Sequence, residues 1–383
     1  MTQAAFLRDP ALGRVWDALP DARVVGGAVR DALAERPVAD IDLATPSSPA
    51  DVTEALKQAA IKVVPTGLAH GTVTAVVAGR GFEVTTLRRD ITTDGRHAVV
   101  AFTADWRLDA SRRDFTINAM SMARDGTVFD YFDGQADLHA GRVRFVGDPA
   151  TRIAEDYLRV LRFFRFYARY ARVPPDPATL DALRAGASGL PRLSVERVWT
   201  ELRRILEAPE PTPAILLMHL LGIWEAVLPE APAIDRMAGL PADPVLRLAA
   251  MLTGDPLALA ARLKLSNGDR DRLVRLLATP HPSGTDADLR RLLADHLPQD
   301  LIDRTWLDGA ADVRRRLTGM KRPVFPLEGR DVVAAGIPQG PRVGALLRAV
   351  RQWWLDGGCV ADHAACLANL APLADPSKIG GKR

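Results

Sequence analysis

The chain has 383 residues, more than the roughly 250–300 that one hydrophobic core organises, so two or three domains are expected. An apolar share of 48% with 25% charged residues excludes a disordered chain and predicts globular cores. The formal charge is only +3, so any anionic partner must be met by a local patch.

The N-terminal stretch MTQAAFLRDP lacks the basic-then-apolar layout of a signal peptide, and no later run approaches the roughly 18 apolar residues of a membrane span. A cytoplasmic protein with no membrane association is expected. From Asp21 to about Gly141, short β-branched runs alternate with helical stretches and glycines. The predicted strands are Arg23 to Val25, Ile41 to Leu43, Lys62 to Val64, Thr72 to Val77 and Phe82 to Leu87. Residues 88–106 are polar, contain glycine and read as a candidate mobile loop. From about Asp148 onward the periodicity is helical, interrupted by proline clusters at Pro174 to Pro177, Pro209 to Pro213 and Pro229 to Pro244. Cys359 and Cys366, seven apart on a probable helix, would lie about 10 Å from each other, too far for a disulfide, and read as free thiols. Scattered histidines without CxxC or HExxH predict no zinc site. Residues 377–383 read as a disordered tail.

Four segments carry chemistry. In Val24-Val25-Gly26-Gly27-Ala28-Val29-Arg30-Asp31 a β-run ends in two glycines and enters a helix, where bare backbone N–H groups can approach a phosphate and Arg30 can add a charged fork. A glycine pair at such a turn also serves purely structural ends. In Asp40-Ile41-Asp42, strand periodicity points both carboxylates to one face and Ile41 to the core. Aligned carboxylates suit a shared divalent cation, although alternating polar residues also occur on ordinary edge strands. Glu83 alternates in the same way on a later strand and is a candidate third carboxylate or a solvent-facing residue.

The third segment, Ser111-Arg112-Arg113-Asp114-Phe115-Thr116-Ile117-Asn118, sets doubled arginines beside an aspartate at a helix start; a capped helix with surface charge looks the same. The fourth runs from Glu155 to Phe166. At 100° per residue Glu155, Arg159, Arg162 and Arg169 form one stripe with Asp156 beside it, opposite an apolar face of Tyr157, Leu161, Phe164 and Ala168. An ordinary amphipathic helix with a Glu155–Arg159 pair has this pattern. The functional alternative is specific: a carboxylate accepts from an exocyclic amine while a guanidinium donates to ring acceptors. Asp156 with Arg159 would then accept cytosine and adenine and reject uracil and guanine, whose edges present the reverse pattern. The basic residues comprise six lysines and 44 arginines. Genome composition can produce that bias, but Arg30, Arg113, Arg159 and Arg162 fall where a fork donor is needed.

These segments, in this order and followed by Ser194 to Glu201, resemble the class II CCA tRNA nucleotidyltransferase and bacterial poly(A) polymerase family, of the DNA polymerase β-like nucleotidyltransferase superfamily, and most resemble its CCA-adding members. The resemblance covers at least Val24 to Glu201. It implies an α+β fold: a nucleotidyltransferase head with a small mixed sheet over residues 1–143, then an all-helical neck (144–210), body (211–300) and tail (301–383), the tail binding tRNA. Gly26, Gly27 and Arg30 would hold the triphosphate. Asp40 and Asp42 would bind two Mg2+ ions, with Glu83 as the third catalytic carboxylate. Arg113 and Asp114, with Asn118 in the same segment, would contact the nucleotide and sense the ribose hydroxyl. Asp156 and Arg159 would read the base, with Arg162 near the phosphates. The 88–106 segment is similar in placement to a flexible element linked to switching from C to A. The implied activity is template-independent addition of C and A to the 3′ end of tRNA from CTP and ATP, by a two-metal mechanism and with no obligate protein partner. An A-adding enzyme, a poly(A) polymerase or a catalytically silent nucleotide-binding protein would share the same head. The absence of a long basic C-terminal extension favours tRNA over poly(A) synthesis. Trp353-Trp354 would either dock tRNA or pack internally.

Overall fold

A computed structural model describes residues 5–67, 71–93 and 98–374, and the chain divides into two compact units, Met1–Ile234 and Asp235–Arg383. In the first unit the chain runs through α1 (Pro10–Ala18), β1 (Arg23–Val25), α2 (Gly27–Leu33), β2 (Asp42–Thr45), α3 (Pro49–Gln58), β3 (Lys62–Gly67), β4 (Thr72–Val77) and β5 (Arg80–Thr86). It continues through β6 (Arg88–Thr93), β7 (Ala98–Phe102), α4 (Trp106–Ser111), β8 (Ser121–Met122), β9 (Val128–Phe129) and α5 (Gly134–Ala140). Seven strands form one mixed sheet in the order β3-β4-β5-β2-β1-β8-β9, in which only β2 and β5 run parallel.

The sheet forms where the sequence alternates. In β4, Val73, Ala75 and Val77 are buried while the residues between them are half-buried. They pack against α1 and α3, which bury Leu12, Val15 and Trp16, and Val52 and Leu56. Both helices begin with a capping side chain followed by proline: Asp9 accepts from Ala11 N at 2.9 Å, and Ser48 accepts from Asp51 N at 3.2 Å.

A helical extension follows, with α6 (Pro149–Glu155), α7 (Leu158–Tyr170), α8 (Pro177–Gly186), α9 (Val195–Leu206), α10 (Thr212–Leu220) and α11 (Ile223–Val227). An aromatic cluster fastens α7 to the head. Phe115 and Phe145, joined by a β-bridge, lie with ring centroids 4.8 Å apart, and Phe166 and Phe163 of α7 approach them at 5.2 and 5.8 Å. Each such pair adds roughly 0.5–1.5 kcal/mol beyond its buried area. The side chains that α7 presents are therefore set against the sheet by packing.

Several expectations shift. The first, third, fourth and fifth predicted strands are present, but the second begins at Asp42 rather than Ile41, and Ile41 is only half-buried instead of lying in the core. The segment read as a loop pairs instead as the antiparallel ribbon β6–β7, with residues 94–97 outside the described ones. Strands β8 and β9 span two residues each, too few to show a period. Among the described residues the second unit holds helices and no strand. Cys359 has φ 61° and precedes the helix His363–Ala374, so the two cysteines do not share a helix; both are free and buried, and burial pushes both thiols up. Trp354 is buried, its indole N–H donating to Ala361 O at 3.1 Å, whereas Trp353 is exposed. Among the described residues no helix is long and apolar enough to cross a membrane, and the tail at 377–383 lies outside them.

Candidate active site

A cavity of about 640 Å³ lies where α2, the 112–118 segment, α7 and α9 meet, and every expected site residue except Glu83 lines it. Its floor starts at the end of β1. Gly26 adopts φ 66° and ψ −121°, which favours glycine, and a Cβ there would stand 2.9 Å from Arg113 Nη1. Gly26→Ala should therefore both strain the turn, by roughly 1–3 kcal/mol, and displace Arg113. A lower melting temperature is expected, and an unchanged one would show that the turn tolerates a side chain.

Beside the glycines stand Asp40 and Asp42. Asp40 precedes β2 and Asp42 opens it, so their shared direction comes from the cavity wall as much as from strand pleating. The parallel register sets Asp42 opposite Glu83, one strand spacing of about 4.8 Å away. Glu83 is exposed and outside the lining, next to the pair rather than in it. Burial, then the nearby charges of Glu83 and Asp40, push the Asp42 carboxyl above the usual range against the pull of Arg113. Among the described residues none of the three carboxylates has a hydrogen-bond or ion-pair partner, and no group of three or more His, Cys, Asp or Glu side chains is placed to hold a metal. Two unpartnered hard-oxygen donors on one wall fit a divalent cation that keeps waters and phosphate oxygens for its remaining positions, as magnesium does.

Opposite them a chain of polar contacts ties the head to α7. Arg30 donates through Nε and Nη2 to Asp31 at 3.0 and 2.9 Å and through Nη1 to Asn118 Oδ1 at 2.6 Å, and Tyr170 OH donates to Asp31. Asn118 Nδ2 and Phe115 N donate to Asp114 Oδ1 at 3.1 and 2.9 Å; Arg162 donates to Asp114 Oδ2 through Nε at 2.8 Å and through Nη2. Burial works against the charge of Asp114, but Arg162 and these N–H donors prevail and hold its carboxyl below the ordinary range. Arg113 lies near Asp109 (3.5 Å) and donates to Asn118 O at 3.4 Å.

The far end is built by a break that helical periodicity does not reveal. Instead of one helix from Glu155 to Phe166, α6 stops at Glu155, Asp156 is extended (φ −156°, ψ 108°), and α7 starts at Leu158. The break persists because Asp156 Oδ1 accepts from Leu158 N at 3.0 Å and Tyr157 lies on bare Gly189, where a Cβ would meet its ring at 2.1 Å. The expected stripe is thus divided, with Glu155 closing α6 and Arg159, Arg162 and Arg169 on α7, while Tyr157 of the opposite face stands in the break and Leu161, Phe164 and Ala168 lie on α7; the Glu155–Arg159 pair forms across the break. Arg159 Nη1 also donates to Arg152 O at 2.7 Å, and Arg197 Nη2 of α9 donates to Asp156 Oδ2 at 2.7 Å.

Asp31, Arg112, Arg165, Arg197 and Arg204 also line the cavity and were not picked out by sequence reasoning. Asp31, Arg112, Arg165 and Arg197 stand inside the segments singled out above, which was the available signal, though none was assigned a role; Arg204 carries none until α7 and α9 are packed together.

With adjacent carboxylates on a mixed sheet facing paired arginines, the first unit is a nucleotidyltransferase head carried into a helical extension. Residues 22–144 match the family model described as the poly A polymerase head domain, and residues 174–234 match that described as the probable RNA and SrmB-binding site of polymerase A. The chain is 38% identical over 363 residues to mouse mitochondrial CCA tRNA nucleotidyltransferase 1, covering 88% of this chain and 83% of the mouse protein. It is 40% identical over 390 residues to the CCA-adding enzyme of Limosilactobacillus fermentum, covering 94% of each. The crystal structure of the Bacillus stearothermophilus CCA-adding enzyme in complex with CTP superposes with a TM-score of 0.71 at 26% identity, covering 95% of this chain and 98% of that one. The protein is a nucleotidyltransferase and belongs to the class II CCA tRNA nucleotidyltransferase and poly(A) polymerase family.

Proposed function

We propose that this protein adds C and A to the 3′ end of tRNA, using CTP and ATP and releasing pyrophosphate. The observation that carries the reading is the set of groups brought together in one cavity: Asp156 and Arg159 at the break between α6 and α7, Asp114 with Arg162, and Gly26, Gly27 and Arg30, with Asn118 bonded to both Asp114 and Arg30 and with Asp40 and Asp42 in the same lining. These groups suit the base, the ribose and the triphosphate of a nucleotide.

Each group suits its place. Asp156 already accepts from Arg197 and Leu158 N, yet a carboxylate offers about four lone-pair sites, so accepting a base amine adds to these bonds. Arg159 is aimed by Glu155 and Arg152 O, which leaves other N–H donors for N3 of cytosine or N1 of adenine. Asp114, held ionised beneath the cavity by Arg162, is the acceptor for a ribose hydroxyl and favours ribonucleotides. Asp40 and Asp42 are the residues that would hold two Mg2+ ions, which when bound would lower the pKa of the attacking hydroxyl and offset charge on the leaving group. The RNA 3′-oxygen forms a bond to the α-phosphorus and its proton passes to solvent, while the bond from that phosphorus to the bridging oxygen breaks and pyrophosphate leaves with the electron pair. What the protein contributes to this displacement is positioning and charge compensation.

The test supplies tRNA ending at the discriminator base, at CC or at CCA, with CTP, ATP or both. Two C and one A should be added to the first substrate, one A to the second and nothing to the third. Addition only to the CC end would make the protein an A-adding enzyme, and unlimited A tails on arbitrary RNA would make it a poly(A) polymerase. Absence of magnesium-dependent pyrophosphate release would leave a binding protein.

A further inference from the structure

A second cavity, of about 330 Å³, opens from the first at Arg30, Arg165 and Arg204 and continues past Arg169 and Tyr170. Most arginines of the first cavity are already committed: Arg30 to Asp31 and Asn118, Arg159 to Glu155, Arg162 to Asp114, Arg165 to Glu201 and Arg197 to Asp156. Arg169 and Arg204 differ. Both are exposed, and neither side chain has a hydrogen-bond or ion-pair partner among the described residues, the bond from Arg36 to Arg169 reaching only the backbone carbonyl, which accepts it. The acids that line the second cavity are occupied, Asp31 by Arg30 and Tyr170 and Glu207 by Arg203. Burial, only partly offset by Glu201, already pulls Arg165 down to about 10, and Arg162 and Arg204 add to that pull. Positive charge therefore accumulates here without an anion to balance it.

Position decides which anion. Steps of three and four residues place Arg162, Arg165 and Arg169 on one face of α7, with Arg169 about 10 Å beyond Arg162. If the base lies at Asp156 and the triphosphate at Gly26, Gly27 and Arg30, the second cavity continues past the γ-phosphate. In an in-line displacement the RNA 3′-oxygen attacks from the side opposite the leaving group, so this cavity is on the departure side.

We propose that the second cavity is the exit site for pyrophosphate, with Arg169 and Arg204 its receiving cations. The inference rests on the functional reading above. It predicts that Arg169→Ala/Arg204→Ala raises the inhibition constant for added inorganic pyrophosphate in C addition, and the pyrophosphate KM in the reverse reaction on tRNA ending in CCA, by about five- to tenfold. The KM for tRNA should move less than about twofold, and the double lysine variant should recover part of the loss. Melting temperatures measured in parallel separate misfolding from lost binding. A raised tRNA KM with unchanged pyrophosphate inhibition would assign the arginines to RNA phosphates and overturn the proposal, as would no change in either. If the wild-type protein performs no pyrophosphate-sensitive transfer, the functional reading itself falls, which is a different result from a sensitive wild type and an equally sensitive variant.

Discussion

Asp42→Asn is expected to lower nucleotide transfer by roughly a thousandfold or more while leaving tRNA affinity close to its original value. A carboxamide keeps the shape of the side chain and loses the hard anionic oxygen that a magnesium ion needs; Asp40→Ala and Asp42→Ala should be equally inactive. The same substitution should raise the melting temperature in metal-free buffer. Partial desolvation, Glu83 and Asp40 raise the Asp42 carboxyl pKa, so at neutral pH folding carries an electrostatic penalty, kept small by solvent at this exposed residue, that asparagine lacks. The penalty is present above the folded-state pKa and disappears as pH falls through it, so the difference in melting temperature should be largest at neutral pH and close on acidification. Added magnesium should stabilise the wild-type protein and not the variant, because only a protein that binds the ion gains from it. Near wild-type turnover, or a melting temperature that falls, would make Asp42 an ordinary strand carboxylate.

Asp156→Asn should weaken CTP and ATP use by about ten- to a hundredfold and relax the exclusion of UTP by a similar factor, readable as the ratio of kcat/KM for CTP and UTP. The carboxylate oxygens accept from Arg197 and from Leu158 N. An amide has one oxygen, so it must turn its NH2 group toward one of those donors or toward the base. Turned toward the base it can donate to the uracil carbonyl, the interaction the carboxylate forbids. The extended backbone at Asp156 depends on the Leu158 contact, so the melting temperature should be followed alongside specificity. Unchanged rejection of UTP by a folded variant would remove Asp156 from base selection.

The two predictions rest on parts of the site that were legible to different degrees. Gly26-Gly27 and the Asp40/Asp42 pair stand out because each is a local arrangement: two glycines at a strand end, or two carboxylates two residues apart. The glycine turn follows from backbone geometry, whereas Asp40 precedes β2 and shares a direction with Asp42 only once the cavity wall is built. Asp156 and Arg159 could be named as a pair because helical spacing and the base-edge pattern agree. The break that aims Asp156 was not visible, since it depends on Tyr157 finding bare Gly189 more than thirty residues later. Glu83 shows the converse. Its alternation matches that of Asp42, and the parallel register does set them side by side, but no periodicity could say that Glu83 would stay outside the cavity.

Sequence by itself determined the α+β organisation, the mixed head and the helices that follow, because burial periodicity, caps and proline breaks act within a dozen residues. It also supplied most of the polar side chains that meet in the cavity, though not Asp31, Arg112, Arg165, Arg197 or Arg204. Tertiary structure alone decided which of them are committed and which are free. The bonds from Arg30 to Asn118, from Arg162 to Asp114 and from Arg197 to Asp156 span 88, 48 and 41 residues. Whether an arginine is tied to an acid or left open to a phosphate depends on how α2, α7 and α9 pack, and that packing is governed by the shapes of buried side chains such as Phe115, Phe163 and Phe166, for which a linear pattern holds no record.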